Sequence, residues 1–254
     1  MIANYHTHTP RCHHATGDER EYIENAVAAG MKILGFSDHS PQFFDGGHVS
    51  GIRMTPKEAE GYVSKLRALA DEYRDEITVK IGFEAEYFPA IFPRLQRFCR
   101  DYGVDYLIMG QHCLTDETAD FWVGAPRADR ESLTFYTDQV IEGLSTGSFT
   151  YMAHPDMYHY TGDEAWFRHE TERLCAFAKK ASIPLEINML GFGDHRHYPT
   201  ERFFTVAGEI GCDLIVGCDA HRPEVLLDRK LQEETVAFAA RFGTVIETLP
   251  LRPV

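Results

Sequence analysis

The sequence predicts an α/β fold built on a parallel sheet, open or closed into a barrel. Its 254 residues suit one α/β barrel domain spanning residues 1–254. Short apolar or β-branched runs alternate with longer amphipathic segments roughly seven times, which indicates parallel strands joined by helices. A histidine or carboxylate follows nearly every short run, as expected where barrel strands end at a functional face.

Seven short segments are the strand candidates, because each combines apolar and β-branched residues and is bounded by polar or turn-forming residues. In chain order they are Ile2–Tyr5, Lys32–Phe36, Ile77–Phe83, Tyr106–Met109, Phe149–Met152, Pro184–Ile187 and Leu214–Val216.

Capping residues predict where several of the intervening helices begin. Thr16 and Glu19 form a capping-box pattern ahead of an amphipathic run. Thr55 is followed by a proline and then a glutamate in the first turn, which predicts a helix over Thr55–Arg74. Thr200 begins another helix, predicted over Thr200–Ile210 and ended by a glycine.

Three segments between these elements are predicted to be long loops, namely Ser40–Gly51, Thr115–Asp129 and Leu190–Thr200. The first and the last directly follow predicted strands, which is where barrels carry their substrate-binding loops. No low-complexity tract, linker or internal repeat divides the sequence, so we expect a single domain.

The charge of the chain limits the classes of partner. The formal net charge of −14 argues against a nucleic-acid polymer, whose phosphates are held by clusters of Lys and Arg. A small phosphorylated substrate remains compatible, because bound cations reverse the local field. The sequence does not indicate the oligomeric state.

Cellular location is predicted from what the sequence contains and lacks. It has no apolar run of about 18 residues for a membrane span and no signal-peptide pattern at its start. Six cysteines without CxxC spacing suit free thiols in a reducing compartment. We therefore expect a cytoplasmic protein that does not engage a membrane.

Candidate metal ligands stand at the ends of the predicted strands. His6 and His8 end the first strand and, being two residues apart, face the same side. The later strands end in further candidates: His39, Glu84, His112, His154, Asp219 and His221. The third strand ends in the carboxylate Glu84 instead of a histidine, and only the sixth, ending near Glu186 and Asn188, lacks a candidate ligand. Mixed imidazole and carboxylate donors suit zinc, manganese or iron, and this many donors imply two or three divalent ions.

The order and spacing of these segments carry a family resemblance over nearly the whole chain. The motifs are YHTHTPRCHH, GFSDHSP, GFEAEYFP, GQHCL, AHPD, LEIN and GCDAHRP. The sequence resembles the PHP (polymerase and histidinol phosphatase) superfamily and, within it, the free-standing histidinol-phosphatases. The resemblance implies a distorted (β/α)7 barrel that holds up to three divalent metals.

Mapped onto this sequence, the resemblance implies three ligand sets that share one carboxylate. The sets are His6, His8, Glu84 and Asp219 for one ion, Glu84, His112 and His154 for a second, and His14, His39 and His221 for a third. The neighbouring His13 remains an alternative to His14. Asp38, beside His39, is either an acceptor that orients the imidazole or a simple strand-end hydrogen-bonding group.

The function implied is phosphoester hydrolysis, most specifically of L-histidinol phosphate in histidine biosynthesis. In the mechanism that the resemblance implies, the cations would supply a hydroxide for attack on phosphorus, and a metal-bound water, Asp219 or His221 would protonate the leaving alkoxide. Arg196, Arg53 and Arg222 lie in predicted active-face loops and are candidates for binding phosphate, with Arg196 preferred.

Three other functions are compatible with parts of the pattern. One is the same chemistry on another phosphomonoester, a phosphodiester or a nucleotide. Another is a non-catalytic PHP module, which would be expected to lose ligands that this chain keeps. An amidohydrolase barrel also begins with HxH, but it requires a lysine late in the fourth strand, which here ends Ile108-Met109-Gly110.

Overall fold

The computed structural model describes residues 1–119 and 121–254, and these residues form one sheet of eight parallel strands. The strands pair in chain order, each with the next. They are β1 (Ala3–Asn4), β2 (Ile33–His39), β3 (Thr78–Ala85), β4 (Tyr106–Met109), β5 (Phe149–Met152), β6 (Leu185–Asn188), β7 (Leu214–Gly217) and β8 (Val245–Ile246).

The predicted parallel α/β architecture is confirmed, and each of the seven predicted strands overlaps an observed one. The strand count of seven is not confirmed, because β8 adds a further strand beside β7 in the described part of the chain. Val245–Ile246 contains only two half-buried residues after the last helix. So short a segment has no periodicity by which a sequence pattern identifies a strand.

Helices occupy the connections between successive strands in the described residues. They are α1 (Glu19–Ala29), α2 (Pro56–Glu72), α3 (Phe92–Tyr102), α4 (Arg130–Ser145), α5 (Glu164–Ala181), α6 (Met189–Gly193), α7 (Glu201–Ile210) and α8 (Arg229–Ala240). Short 3-10 turns lie at Pro10–Cys12, Glu117–Ala119 and Pro223–Leu227. In the part of the chain described, no helix has both the length and the apolar character required to cross a bilayer.

The predicted starts of α2 and α7 are confirmed, since Thr55 and Thr200 cap those helices with their side chains. The predicted start of α1 is wrong by two residues, because Asp18 caps the helix in a capping box with Glu21. Two such patterns overlap in this stretch. The backbone of Thr16 is instead bonded to His221 O at 2.9 Å, which holds it outside the helix.

The loop predictions hold in part. Ser40–Gly51 contains no helix or strand, whereas α6 lies mainly inside the predicted loop Leu190–Thr200. Asn188 caps α6 by accepting a hydrogen bond from Gly191 N at 2.8 Å. In the third predicted loop, Thr115–Asp129, Asp120 lies outside the described residues.

Pairing beyond the strand ends brings β1 and β7 together at one face of the molecule. Thr7 and Ala220 form a parallel bridge, with His8 N donating to Ala220 O at 2.9 Å and Ala220 N to His6 O at 3.2 Å. The buried Asn4 side chain also accepts a hydrogen bond from Cys218 N. The segments that carry the first and the last predicted ligands are therefore neighbours.

Candidate metal centre

All nine predicted ligands lie at the carboxyl ends of the strands and converge on one region. The register of β2 and β3 sets His39 directly beside Glu84. The predicted ligands His6, His8, Glu84 and His154 are essentially buried, whereas His221 and His14 are more accessible. The clustering follows from the topology, since parallel strands present their carboxyl ends at the same face.

Glu84 is at the centre of this cluster, with both carboxylate oxygens facing imidazole nitrogens. Oε1 lies near three histidines: His154 Nε2 at 2.7 Å, His112 Nε2 at 3.4 Å and His6 Nε2 at 3.7 Å. Oε2 lies near two: His39 Nδ1 at 3.0 Å and His8 Nε2 at 3.6 Å. Donors sharing a tetrahedral zinc ion stand about 3.3 Å apart, given bonds of about 2.0–2.1 Å. The spacing around Glu84 is therefore that of atoms able to share cations.

Other donor groups in the same region reproduce much of the predicted sets. The donor atoms of His6, His8 and Asp219 all lie within 4.8 Å of one another, as do those of His14, His39 and His221. Two further groups contain Glu84, one with His6 and His154 and one with His8 and His39.

The structure distinguishes between the two adjacent histidines of the first loop. His14 joins a donor group and lines the cleft above the centre. His13 is exposed, has a left-handed backbone (φ 67°) and belongs to none of the donor groups found among the described residues. The geometry therefore favours His14.

Several buried ligand atoms in this cluster make no well-aligned hydrogen bond within the described residues, even where a group of opposite charge lies nearby. They are Nδ1 of His8, His39, His112 and His154, and Oδ1 of Asp219. Each unpaired buried polar atom lowers the stability of the fold by about 1–3 kcal/mol. Five such atoms in one place therefore indicate that a ligand binds there. Imidazole and carboxylate donors together fit zinc, manganese or iron better than magnesium or calcium.

Glu186 is a functional residue that the sequence analysis did not identify. Its Oε1 lies 2.8 Å from His6 Nδ1, and its Oε2 accepts a hydrogen bond from His154 N at 3.0 Å. The carboxylate accepts a hydrogen bond from Nδ1 of His6 and so directs Nε2 toward the centre. Asn188 Nδ2 donates to both Glu186 and Asp219. The signal was the LEIN motif, the one strand end to which no candidate ligand was assigned.

Asp38 and Glu86 orient other members of the cluster. Asp38 Oδ1 lies 3.4 Å from His8 Nδ1, so the carboxylate faces that ring, while its contact with His39 is to the backbone N. Glu86 accepts hydrogen bonds from the backbone N of His112 and of Cys113. Glu86 follows Glu84 by two residues, a spacing at which the side chains of an extended chain point to the same side.

Opposite charges shift the pKa values of the buried groups. Burial raises the pKa of Glu84 and of Asp219, but the surrounding imidazoles outweigh burial and hold both well below their ordinary values. Burial lowers the pKa of His6, yet Glu186, Asp219 and Glu84 raise it to about 10. The two central carboxylates are therefore anionic, as ligands of a divalent cation must be.

Cys12 is enclosed by the same imidazoles. It is fully buried, and its sulfur lies with donor atoms of His8 and His221 in a group that spans no more than 4.8 Å. Burial raises the pKa of the thiol, but the nearby rings of His14, His221 and His8 lower it to about 4.

A cleft of about 400 Å³ opens above the cluster. It is lined by seven predicted ligands, together with Gly51, Ile52, Trp122, Met157, Leu190, Arg196 and Tyr198. A larger cavity of about 680 Å³ lies beside the starts of β1 and β8, but its lining contains no histidine. The smaller cleft is the one that carries candidate chemistry.

The three predicted phosphate-binding arginines are placed differently. Arg196 lines the cleft, with Nη1 3.1 Å from the hydroxyl of Tyr198. Arg53 is buried, and its guanidinium donates to Glu86 and Glu117. Arg222 is exposed and lies outside the residues that line the cleft. The geometry favours Arg196, while phosphate binding by the other two stays a prediction.

Comparison with known proteins places this arrangement in a family. The model of the PHP domain family matches residues 4–190. The chain belongs to the PHP domain family. Its relatives include a Deinococcus radiodurans protein named "Probable histidinol-phosphatase", 27% identical over 236 residues that cover 87% of each chain. The histidinol-phosphatase of Bacillus subtilis is 28% identical over 120 residues, or 45% of each chain.

A solved structure shows the same PHP fold. The histidinol phosphate phosphatase of Lactococcus lactis, described as complexed with zinc, L-histidinol and phosphate, superposes with a TM-score of 0.73. The comparison covers 99% of this chain and 97% of that one at 17% sequence identity, so it bears on the fold alone.

Proposed function

We propose that this PHP domain is a metal-dependent phosphatase that hydrolyses L-histidinol phosphate to L-histidinol and phosphate. The observation that carries the proposal is the set of imidazole and carboxylate donors packed around Glu84 beneath an open cleft. The names of the Deinococcus and Bacillus relatives support the substrate, as does the description of the Lactococcus complex. We take residues 1–254 as the functional domain, since the sheet runs from β1 near one end to β8 near the other.

Two or three divalent ions, zinc, manganese or iron, would be held by three sets of residues. They are His6, His8, Glu84 and Asp219; Glu84, His112 and His154; and His14, His39 and His221. Glu84 is suited to serve two sets because its carboxylate faces His6 and His8 of the first set and also His112 and His154 of the second. When bound, such ions lower the pKa of water to near neutrality and offset the charge of a phosphoryl group.

The protein's own groups then have separate tasks. Arg196 is placed to hold phosphate oxygens, since it lines the cleft and remains partly exposed. Asp219 and His221 also line the cleft, with Asp219 Oδ1 3.4 Å from His221 Nδ1. We assign to His221 the proton delivered to the leaving alkoxide oxygen of L-histidinol, and to the anionic Asp219 the orientation of that ring.

The size of the cleft, the charge of the chain and its cysteines support a small substrate and a cytoplasmic location. A cleft of about 400 Å³ suits a small phosphorylated molecule, and the net charge of −14 disfavours a nucleic-acid polymer. All six cysteines are free thiols, which supports a reducing cytoplasmic location.

The proposal is tested by measuring phosphate release from L-histidinol phosphate and from a panel of other phosphoesters. The panel contains a nucleotide, phosphotyrosine and a phosphodiester, each assayed with metal-loaded and chelator-treated protein. We expect the highest kcat/KM for L-histidinol phosphate and no activity after chelation. The exposed Glu233→Gln variant serves as the control for Glu84→Gln, which we expect to be inactive.

A higher kcat/KM for a nucleotide or another ester would assign the same chemistry to a different substrate. No phosphate release from any ester by protein that has bound metal would identify a non-catalytic PHP module instead.

A further inference from the structure

We propose that Cys12 is an additional ligand of this centre, a thiolate that binds the cation assigned to His221 and lies beside His8, a ligand of the neighbouring cation. The inference rests on the metal binding in the proposed function and adds a sulfur donor to it. The three donor atoms all lie within 4.8 Å of one another. A zinc ion with bonds of about 2.3 Å to sulfur and about 2.0–2.1 Å to nitrogen fits between such atoms after small side-chain adjustments.

The local backbone directs Cys12 toward the histidines. Thr9 caps the 3-10 turn Pro10–Cys12 by accepting a hydrogen bond from Arg11 N. The turn ends at His13, whose left-handed backbone reverses the chain and returns His14 to the cluster. The side chains before and after the turn therefore converge on the same place.

Cys12 differs from the other cysteines in what surrounds it. The other five pack in the hydrophobic clusters, where burial and apolar contact account for a thiol: Cys99, Cys113, Cys175, Cys212 and Cys218. Cys12 is as deeply buried as these, yet it belongs to none of the hydrophobic clusters formed by the described residues. Its neighbours are imidazole donors, so its surroundings are those of a ligand rather than of a core residue.

A sulfur donor also bears on which metal the centre prefers. Thiolates bind zinc and iron strongly, whereas manganese favours carboxylate and water oxygens. A cation binds the deprotonated sulfur, and a proton held by the neighbouring imidazoles leaves to solvent as the positive cation takes its place. We therefore expect the cation held by Cys12 and His221 to be zinc or iron rather than manganese.

X-ray absorption at the zinc edge of the zinc-loaded full chain tests the proposal. We expect a sulfur shell at about 2.3 Å beside the nitrogen and oxygen shell at about 2.0–2.1 Å. Cys12→Ser is expected to lose that shell. The control Cys113→Ala, adjacent to His112 but packed against Phe88 and Ile91, is expected to keep it. Circular dichroism establishes that each variant is folded.

A second variant covers the case in which Cys12→Ser does not fold. Cys113→Ala/Cys218→Ala removes the two other cysteines that neighbour predicted ligands, so a retained sulfur shell assigns the sulfur to Cys12. Absence of sulfur scattering in zinc-loaded wild-type protein, or its persistence in folded Cys12→Ser, would overturn the proposal. If the protein that fails this test still releases phosphate from L-histidinol phosphate, the proposed function stands without the sulfur ligand.

Discussion

Glu186 lies behind the predicted ligands and bonds two of them, through the ring of His6 and the backbone of His154. It is fully buried, so its carboxylate is a fixed part of the centre rather than a mobile surface group. Residues in this position orient the ligands and increase their basicity.

Glu186→Gln is expected to lower the affinity of the metal-free protein for zinc by about 10–100-fold while leaving the fold intact. The amide retains the size of the side chain but loses the charge that orients His6. Titration calorimetry measures the affinity, with exposed Glu233→Gln as the control. An unchanged affinity for zinc in Glu186→Gln would show that Glu186 does not position the ligands.

Arg53 and Glu86 form a buried ion pair with Nη2 and Oε2 2.6 Å apart. Arg53→Met leaves Glu86 without that partner, and we expect the free energy of unfolding to fall by about 3–5 kcal/mol. The control Arg94→Met removes an exposed pair with Asp45 and is expected to cost less than about 1 kcal/mol. Urea unfolding measures both. A raised KM for the phosphoester with unchanged stability would instead support phosphate binding by Arg53.

At the scale of the residue, the clustering of the candidate ligands could be predicted because a histidine after a buried strand is an unusual placement. Glu186 and Glu86 were missed, since the LEIN motif and the spacing from Glu84 mark an acidic residue but do not distinguish a ligand from a group that orients one. Arg53 illustrates a different limit. Its loop was predicted near the active face, but its partners Glu86 and Glu117 are distant in sequence and became visible only in the structure.

Glycines at two strand ends make room for carboxylates from neighbouring strands. A Cβ added to Gly110 would lie 1.9 Å from Glu84 Oε1, and one added to Gly217 would lie 1.8 Å from Glu186 Oε1. These positions therefore determine whether β3 and β6 can present their acidic side chains.

Gly110→Ala is expected to displace Glu84 and reduce kcat/KM about 100-fold, since an error of about 1 Å in a catalytic site has this effect. The control is Gly61→Ala in the middle of α2, where a Cβ meets nothing within 4 Å. That change is expected to stabilise the protein by about 0.5–1 kcal/mol. Steady-state kinetics and thermal unfolding measure the two effects. Full activity in Gly110→Ala would show that a methyl group at this position does not displace the Glu84 carboxylate.

Glu19 joins α1 to two other elements through Arg11 of the first 3-10 turn and Lys65 of α2. Burial raises its pKa, but hydrogen bonds from Lys65 and Arg11 outweigh burial and leave the pKa below the ordinary 4.5. A lowered folded-state pKa stabilises the protein above the unfolded-state pKa, and this contribution is lost as pH falls through the folded value.

Glu19→Gln is therefore expected to cost about 1.5–3 kcal/mol near neutral pH, as for hydrogen bonds to charged groups. The difference from wild type should shrink as the pH falls below about 4.5. Chemical unfolding across that range measures it, with the exposed Glu76→Gln as the control. A deficit that stays constant down to low pH would show that the charge is not responsible.

Helix ends were predictable where a single capping pattern was present, as at Thr55 and Thr200. They were not where two patterns overlapped, as at Thr16 and Asp18, because the choice depends on a tertiary hydrogen bond to His221. The short α6 was also missed, since five residues give no helical periodicity.

At the scale of the whole molecule, parallel strand order explains why residues between His6 and His221 share one centre. The sequence predicted this convergence from repeated strand ends, and the pairing of β1 through β8 in chain order produces it. The eighth strand and the bridge between Thr7 and Ala220 were not predictable, because both depend on pairings of only one or two residues.

The central claim is that these side chains bind two or three divalent cations, and metal content per chain tests it most directly. Protein loaded with zinc, freed of excess metal and measured by elemental analysis is expected to contain two or three zinc ions per chain. Glu84→Gln is expected to retain fewer, because Glu84 contacts histidines of both ligand sets to which it is assigned. Less than one ion per chain in folded wild-type protein would contradict the account.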